Sequence, residues 1–373
     1  MSSNVDFLYL SEPDMIEAGV LDSKHCVDTI EEVFKLLSQG DYLMGGPKEN
    51  SHGIMLWFPS EPRFKMPVTG PDRRFMAMIA YLGGKFNICG EKWYGSNVEN
   101  PPLRGLPRSI LMVMLNDPVT SQPLALMSGN LISAMRTGAV PGVATRHLAK
   151  SDASRAGILG AGVISRASLL AIHAGRPEIN TAWVYDIADE KSRAFANEMA
   201  EHGITVHIAR NAEECVRNSD VISVATSGRN PVRIEESWLN DGAVVETSGI
   251  VDVSDDFCVS SKIVADNWKM HQEWREDGLA SAEGISSLST WASSHQVIRL
   301  QLEGRIDEEK DITNLGDIVS GIKAGRGSDK EKIFFIAGGM PVHDIAWGYE
   351  VYQKALARNI GVKLNLWDKP HWF

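Results

Sequence analysis

The sequence predicts an α/β fold, a doubly wound parallel sheet joined to a second, α+β domain with an antiparallel sheet. Two patterns carry that expectation. From Ala156 onward, apolar runs of four or five residues alternate with helical stretches, the rhythm of βαβ units and hence of a parallel sheet. Before residue 128, four apolar runs follow one another with turn-like connections, the rhythm of an antiparallel sheet. A chain of 373 residues is also too long for one ordinary core and implies two.

In chain order, Phe7 to Leu10 reads as a strand, and Ser11 with Asp14 three residues on is a capping signal for a short helix. From Asp22 to Ser38 the residues Ile30, Val33, Phe34 and Leu37 recur at helical spacing, and Gly40 supplies the stop. The four strands expected next are Gly53–Phe58, Phe75–Leu82, Ser109–Leu115 and Pro123–Met127. Between the second and third lies Gly83 to Arg108, rich in Gly and Pro, which reads as one long functional loop. Asn130 to Ala149 is helical, with Pro141 either kinking it or marking its start. Strands then follow at Ala156–Leu159, Ala182–Asp186, Thr205–Ile208, Val221–Ala225 and Ala243–Thr247, with helices at Ser165–His173, Glu190–His202, Ala212–Asn218 and Glu235–Asn240. Ile333–Ile336 is a last strand and Val342–Arg358 a closing helix.

The first strand of the alternating half ends in Gly160-Ala161-Gly162-Val163-Ile164-Ser165. Gly160 allows the tight turn, Gly162 lets backbone approach a pyrophosphate, and the N–H groups of the helix from Ile164 point at that charge. The next strand ends at Asp186, 24 residues after Gly162, near the spacing at which an acid binds the adenosine ribose hydroxyls. Strand, turn, helix, strand and acid in this order make a Rossmann dinucleotide site. A carboxylate at Asp186 repels a 2′-phosphate, so NAD is favoured over NADP. Thr226, past another strand on the same edge, is a further cofactor contact.

Composition excludes several classes. With 37 basic against 48 acidic residues, the net charge of −11 disfavours nucleic acid and anionic membrane as partners. Cys26, Cys89, Cys215 and Cys258 are far apart and read as four lone buried thiols. The ten histidines are scattered, with no H-E-x-x-H, so no metal is expected. Neither a G-x-S-x-G elbow nor the Gly-Lys-Ser/Thr of an NTP-binding loop is present. Redox use of a dinucleotide is the chemistry left standing, in the cytoplasm by default, since no signal segment or 18-residue apolar run occurs.

Arg136 stands in the small, apolar stretch Ile132 to Ala139. It is either a two-pronged clamp for a substrate carboxylate or half of an internal ion pair. Lys92 sits between Glu91 and the aromatics Trp93 and Tyr94, and its alternative is an ordinary surface lysine. Beyond Ala243–Thr247 come Asp252, Asp255 and Asp256. An acid there can face a nicotinamide, and Asp252 is the choice over a merely solvated, helix-capping turn.

The runs Leu126 to Ala139 and Ala144 to Ala149, the Gly160 turn, Ser219 to Ile222, Asn314 to Gly321 and Gly339 to Asp344 resemble the ornithine cyclodeaminase and mu-crystallin family. Gly90 to Trp93 with Gly105 to Arg108 looks most like its branch of opine-forming synthases of diaminopropionate biosynthesis. The resemblance implies a substrate-binding and dimerisation domain made from both chain ends (1–130 plus 338–373), a Rossmann domain (131–337) and a homodimer. It implies nicotinamide-linked imine chemistry on a small amino acid or imine, with Lys92 beside the reacting carbon, Arg136 as carboxylate clamp and Asp252 as acid–base group. Asp255 is the fallback for that group. Val163, Ile164 and Thr137 join the cofactor contacts. An arginine of many members falls near Lys48, a second substrate-binding candidate, and the glutamate that ornithine cyclodeaminase carries falls near Ala77. The resulting expectation is an NAD(H)-dependent oxidoreductase at the Cα–N bond. Its alternatives are a redox-neutral cyclodeaminase that releases ammonia, and a non-catalytic binding or accessory subunit that retains the NAD site.

Overall fold

The computed structural model describes residues 4–68, 73–226 and 230–372. The chain separates into two compact units, one of residues 1–22, 40–133 and 340–373, the other of 23–39 and 134–339. The helix Ser23–Gln39, expected with the first unit, clusters with the second. The reason is electrostatic as well as apolar. Arg146 reaches Glu31 at 2.7 Å and Asp28 at 2.9 Å, and His147 reaches Glu31 at 2.5 Å, so the last turn of the helix Asn130–Leu148 is tied to it.

In the first unit the strands are β1 (Val5–Leu10), β2 (Tyr42–Met44), β3 (Ile54–Trp57), β4 (Arg74–Leu82), β5 (Ile88–Ser96), β6 (Ser109–Asn116) and β7 (Pro123–Ser128). With a C-terminal strand, Val362–Trp367, they form one sheet in the order C-terminal strand, β1, β7, β6, β5, β4, β2, with β3 also paired to β4. Pairing is antiparallel except between β1 and β7, so the sheet is mixed. The Ser11–Asp14 capping box is formed as expected on the helix Glu12–Glu17.

The segment read as one long loop is a correction. It contains β5 and a short helix, Asn100–Arg104, so Lys92 lies in the middle of a central strand. Glycine and charge within Ile88–Ser96 hide the period-2 alternation that identifies a half-buried strand. The pleat nevertheless sorts the residues. Met78, Lys92 and Val113 are matched across β4, β5 and β6 on the inner face, beneath the helix Pro341–Arg358, while Ala77, Trp93 and Met112 are matched on the outer one.

The second unit holds β8 (Arg155–Leu159), β9 (Thr181–Tyr185), β10 (Thr205–Ile208), β11 (Val221–Val224), β12 (Val232–Ile234), β13 (Val244–Thr247), β14 (Val251–Val253), β15 (Lys262–Ala265), β16 (Ile312–Asn314) and β17 (Ile333–Ile336). Eight of them make an all-parallel sheet in the order β10-β9-β8-β11-β13-β17-β15-β16, and β12 with β14 form a separate parallel pair. The first five positions are the doubly wound order in which a ligand binds where the strand order reverses. Ile158, Leu169, Ile172, Val184, Phe195 and Val221 fill the core between sheet and helices. Glu235–Asn240, expected helical, supplies only the 3₁₀ turn Glu236–Trp238. Pro141 lies inside the helix Asn130–Leu148, which runs on past it. Three cysteines are buried and Cys89 is half-buried, so the expectation of four buried thiols holds for three. Among the described residues no helix is long and apolar enough to cross a membrane.

Candidate active site

The glycine turn lies at the carboxyl end of β8. Gly160 has φ +95°, a left-handed conformation that favours glycine, and a Cβ at Gly162 would meet nothing within 4 Å. The helix Val163–Gly175 starts with no side-chain cap, so its first N–H groups are offered outward. Arg166 pins the turn, donating to the Ala161 carbonyl at 2.8 Å while paired with Glu198 at 2.5 Å.

Asp186, at the end of β9, accepts from the Ala161 N–H at 2.8 Å and the Ala188 N–H at 3.0 Å. Each carboxylate oxygen keeps a lone pair for a ligand hydroxyl. Gly160, Gly162, Asp186 and Thr226 line one cavity of about 670 Å³, so four of the seven expected cofactor residues meet there. Val163 is exposed at the first position of the helix and Ile164 follows it, whereas Thr137 lies on the helix Asn130–Leu148. An open cradle at Gly162, an uncapped helix and an acid at the ribose position fit a dinucleotide.

Lys92 is buried on the inner face of the first unit's sheet, 2% exposed. Its ammonium lies 3.0 Å from Asp344 and 3.4 Å from the Ser133 hydroxyl. Asp344, with no exposed surface, stands in the first turn of the helix Pro341–Arg358. It is the site residue that sequence reasoning missed. Its signals are a carboxylate inside the mostly apolar helix run Pro341 to Gly348, and its place at the end of the family-like run Gly339 to Asp344. Lys48 is exposed in the turn after β2. Ala77 is on β4, whose next residue, Met78, pairs with Lys92.

In the second unit Arg136 is buried within the helix Asn130–Leu148, beside Gly339. Asp252 is on β14 and half-exposed. Its carboxylate is 3.1 Å from Arg233, and both residues line a polar cavity of about 470 Å³ with His295. Burial lowers the His295 imidazole below its ordinary range. Asp255 is differently placed. Gln296, Arg299 and Arg305 all donate to it, and these partners hold its carboxyl below the usual value. Asp255 thereby ties two helices together, whereas Asp252 has Arg233 as the partner of both its oxygens, and both acids line the cavity.

The ornithine cyclodeaminase/mu-crystallin family model matches residues 21–359. The chain belongs to that family. Among its relatives is the N-((2S)-2-amino-2-carboxyethyl)-L-glutamate dehydrogenase of Staphylococcus aureus, 31% identical over 98% of this chain and 100% of that enzyme. Family members of known structure share the architecture. A Δ1-pyrroline-2-carboxylate reductase from Thermococcus litoralis, solved with NADH and L-proline, is 30% identical with a TM-score of 0.77, covering 95% of this chain and 99% of that one. An archaeal alanine dehydrogenase dimer with bound NAD is 25% identical with a TM-score of 0.76, covering 97% of this chain and all of that one.

Proposed function

We propose that the chain is an NAD(H)-dependent oxidoreductase acting at the Cα–N bond of an N-substituted amino acid of the opine type. The observation that carries the reading is the cavity lined by Gly160, Gly162, Asp186 and Thr226, with Asp186 rather than a basic residue at the ribose position. End-to-end similarity to the staphylococcal dehydrogenase supports an opine over a primary amine.

In this reading Arg136 holds the substrate carboxylate by two parallel hydrogen bonds. Asp252 takes the proton from the substrate nitrogen. Lys92, held in place by its pairing with Asp344, positions a water against the Cα–N double bond. Lys48 helps hold the substrate carboxylate, and Val163, Ile164 and Thr137 contact the cofactor. Bound NAD⁺ supplies the acceptor for the Cα hydride. Addition of water and cleavage of the C–N bond then release a 2-oxo acid and an amine. For the compound that names the staphylococcal enzyme, oxidation at the glutamate Cα corresponds to 2-oxoglutarate and 2,3-diaminopropionate.

The test incubates the protein with NAD⁺ and N-substituted amino acids, and with NADH, 2-oxo acids and amines, following 340 nm absorbance and product masses. Coupled cofactor turnover with 2-oxo acid formation is expected. Ammonia release from a diamino acid without net absorbance change would make it a cyclodeaminase instead, and silence with NADH bound would favour a non-catalytic role.

The assembly in this reading is a homodimer. Ile54, Leu56, Phe75, Ile79, Trp93 and Met112 give the outer sheet face an apolar surface, each 38% exposed or more, and patches of this kind mark interaction sites. The archaeal alanine dehydrogenase is a dimer, which supports a second copy as the occupant. A single monomer mass at all concentrations in light scattering would remove it.

A further inference from the structure

At the end of β15 the second unit buries a carboxylate, Asp266, with 1% of its surface exposed. Burial by itself pushes this carboxyl up, yet its donors hold it below the ordinary value. His271 Nε2 lies 2.8 Å from Oδ1, which also accepts from the Asn267 N–H at 2.8 Å. Oδ2 accepts from the Gly338 and Gly339 N–H groups at 2.8 and 3.2 Å. His271 is fully buried too, and its other ring nitrogen lies 2.9 Å from the Ser294 hydroxyl.

A buried charge of this kind is no more stabilising than an apolar cluster of similar volume, so stability does not account for it. The backbone it grips is the turn where the chain leaves β17. Gly338 is walled in, since a Cβ there would lie 2.2 Å from Met270 and 2.4 Å from Trp274. Gly339 follows at φ +77°, and a Cβ there would lie 2.7 Å from Nη1 of Arg136. The turn is therefore held between an aromatic wall and the guanidinium, with Asp266 setting its height.

We infer that Asp266 is a positioning residue for Arg136. It holds the Gly338–Gly339 turn against the guanidinium and so aims that group at the substrate carboxylate, with His271 and Ser294 orienting Asp266 in turn. A two-pronged clamp tolerates little misplacement, which is the reason for a rigid, charged support rather than an apolar one. The inference rests on the reading of Arg136 as the carboxylate clamp.

The test is calorimetric titration of the full-length, NADH-loaded protein with 2-oxoglutarate as the carboxylate probe. The variants are Arg136→Lys, Asp266→Asn, Gly339→Ala and the double variant Arg136→Lys/Asp266→Asn. Each single variant is expected to weaken 2-oxoglutarate at least ~10-fold with NADH affinity within about twofold, because the perturbation reaches only the clamp. The double variant should be within about twofold of Arg136→Lys alone, since residues acting through one group are not additive. Additive losses, or unchanged probe affinity in Asp266→Asn while Arg136→Lys loses it, would overturn the inference and leave the clamp reading intact. Unchanged affinity in Arg136→Lys would overturn both. Should Asp266→Asn fail to fold, Ser294→Ala, which removes the hydroxyl beside His271 and so loosens Asp266 without touching Arg136, takes its place: a loss in the same direction is expected, and unchanged probe affinity overturns the inference.

Discussion

Replacing Asp344 by Asn removes one charge from a buried pair and leaves a side chain of the same shape. At 3.0 Å from Lys92, and with an effective dielectric of about 20, the lost attraction is roughly 5–6 kcal/mol. Asn still accepts one hydrogen bond, so the net cost of leaving the ammonium buried without its partner is about 3–5 kcal/mol. For a unit of this size each kcal/mol lowers the midpoint by roughly 2–4 °C, so the first unit's transition should fall by roughly 6–20 °C in calorimetry. Turnover should fall as well. The decisive comparison is Lys92→Met/Asp344→Leu, which removes both charges from a site with 2% and 0% exposure. Replacing a whole buried pair by apolar groups is often neutral, so the double variant should regain most of the lost stability while remaining inactive. A double variant as unstable as Asp344→Asn would refute the argument, because removing the orphaned charge would then have restored nothing.

The wild-type protein should bind NAD(H) at least ~10-fold more tightly than NADP(H), and Asp186→Ser should narrow the gap; equal affinity at the outset sinks the role given to Asp186. Asp252→Asn should lower kcat by ~10²–10⁴-fold with NADH binding unchanged, whereas Asp255→Asn, which removes one ion pair from each of Arg299 and Arg305, should chiefly lower stability; the opposite pattern would move the acid three residues on. Glu246 is fully buried on β13 with a hydrogen bond from Thr145, and burial raises its carboxyl well above the ordinary 4.5. A carboxyl raised in the folded state contributes stability below its unfolded pKa and loses it as pH rises toward the folded value. Glu246→Gln should therefore match the wild type near pH 4 and exceed it in melting temperature increasingly toward pH 8, and a constant difference across that range would contradict the assignment.

What the sequence by itself determined is whatever depends on neighbours in the chain. Gly160 must turn, the following helix must point its first N–H groups at that turn, and Asp186 must close the next strand. These are consequences of glycine stereochemistry and of the alternation of strand and helix, and both are written locally. The same holds for the Ser11–Asp14 box and for the four apolar runs of the first unit. The tertiary structure alone decided the rest. β5 carries Gly90, Glu91 and Lys92, a composition that reads as loop until β4 and β6 pair with it on both sides. Lys92 finds Asp344 across 252 positions, and Asp266 finds the Gly338 N–H across 72. No period or spacing encodes such pairs, because a buried charge is satisfied by whichever donor the packing brings to it. The sequence announces that a buried Lys, Arg or Asp needs a partner, and only the fold chooses which.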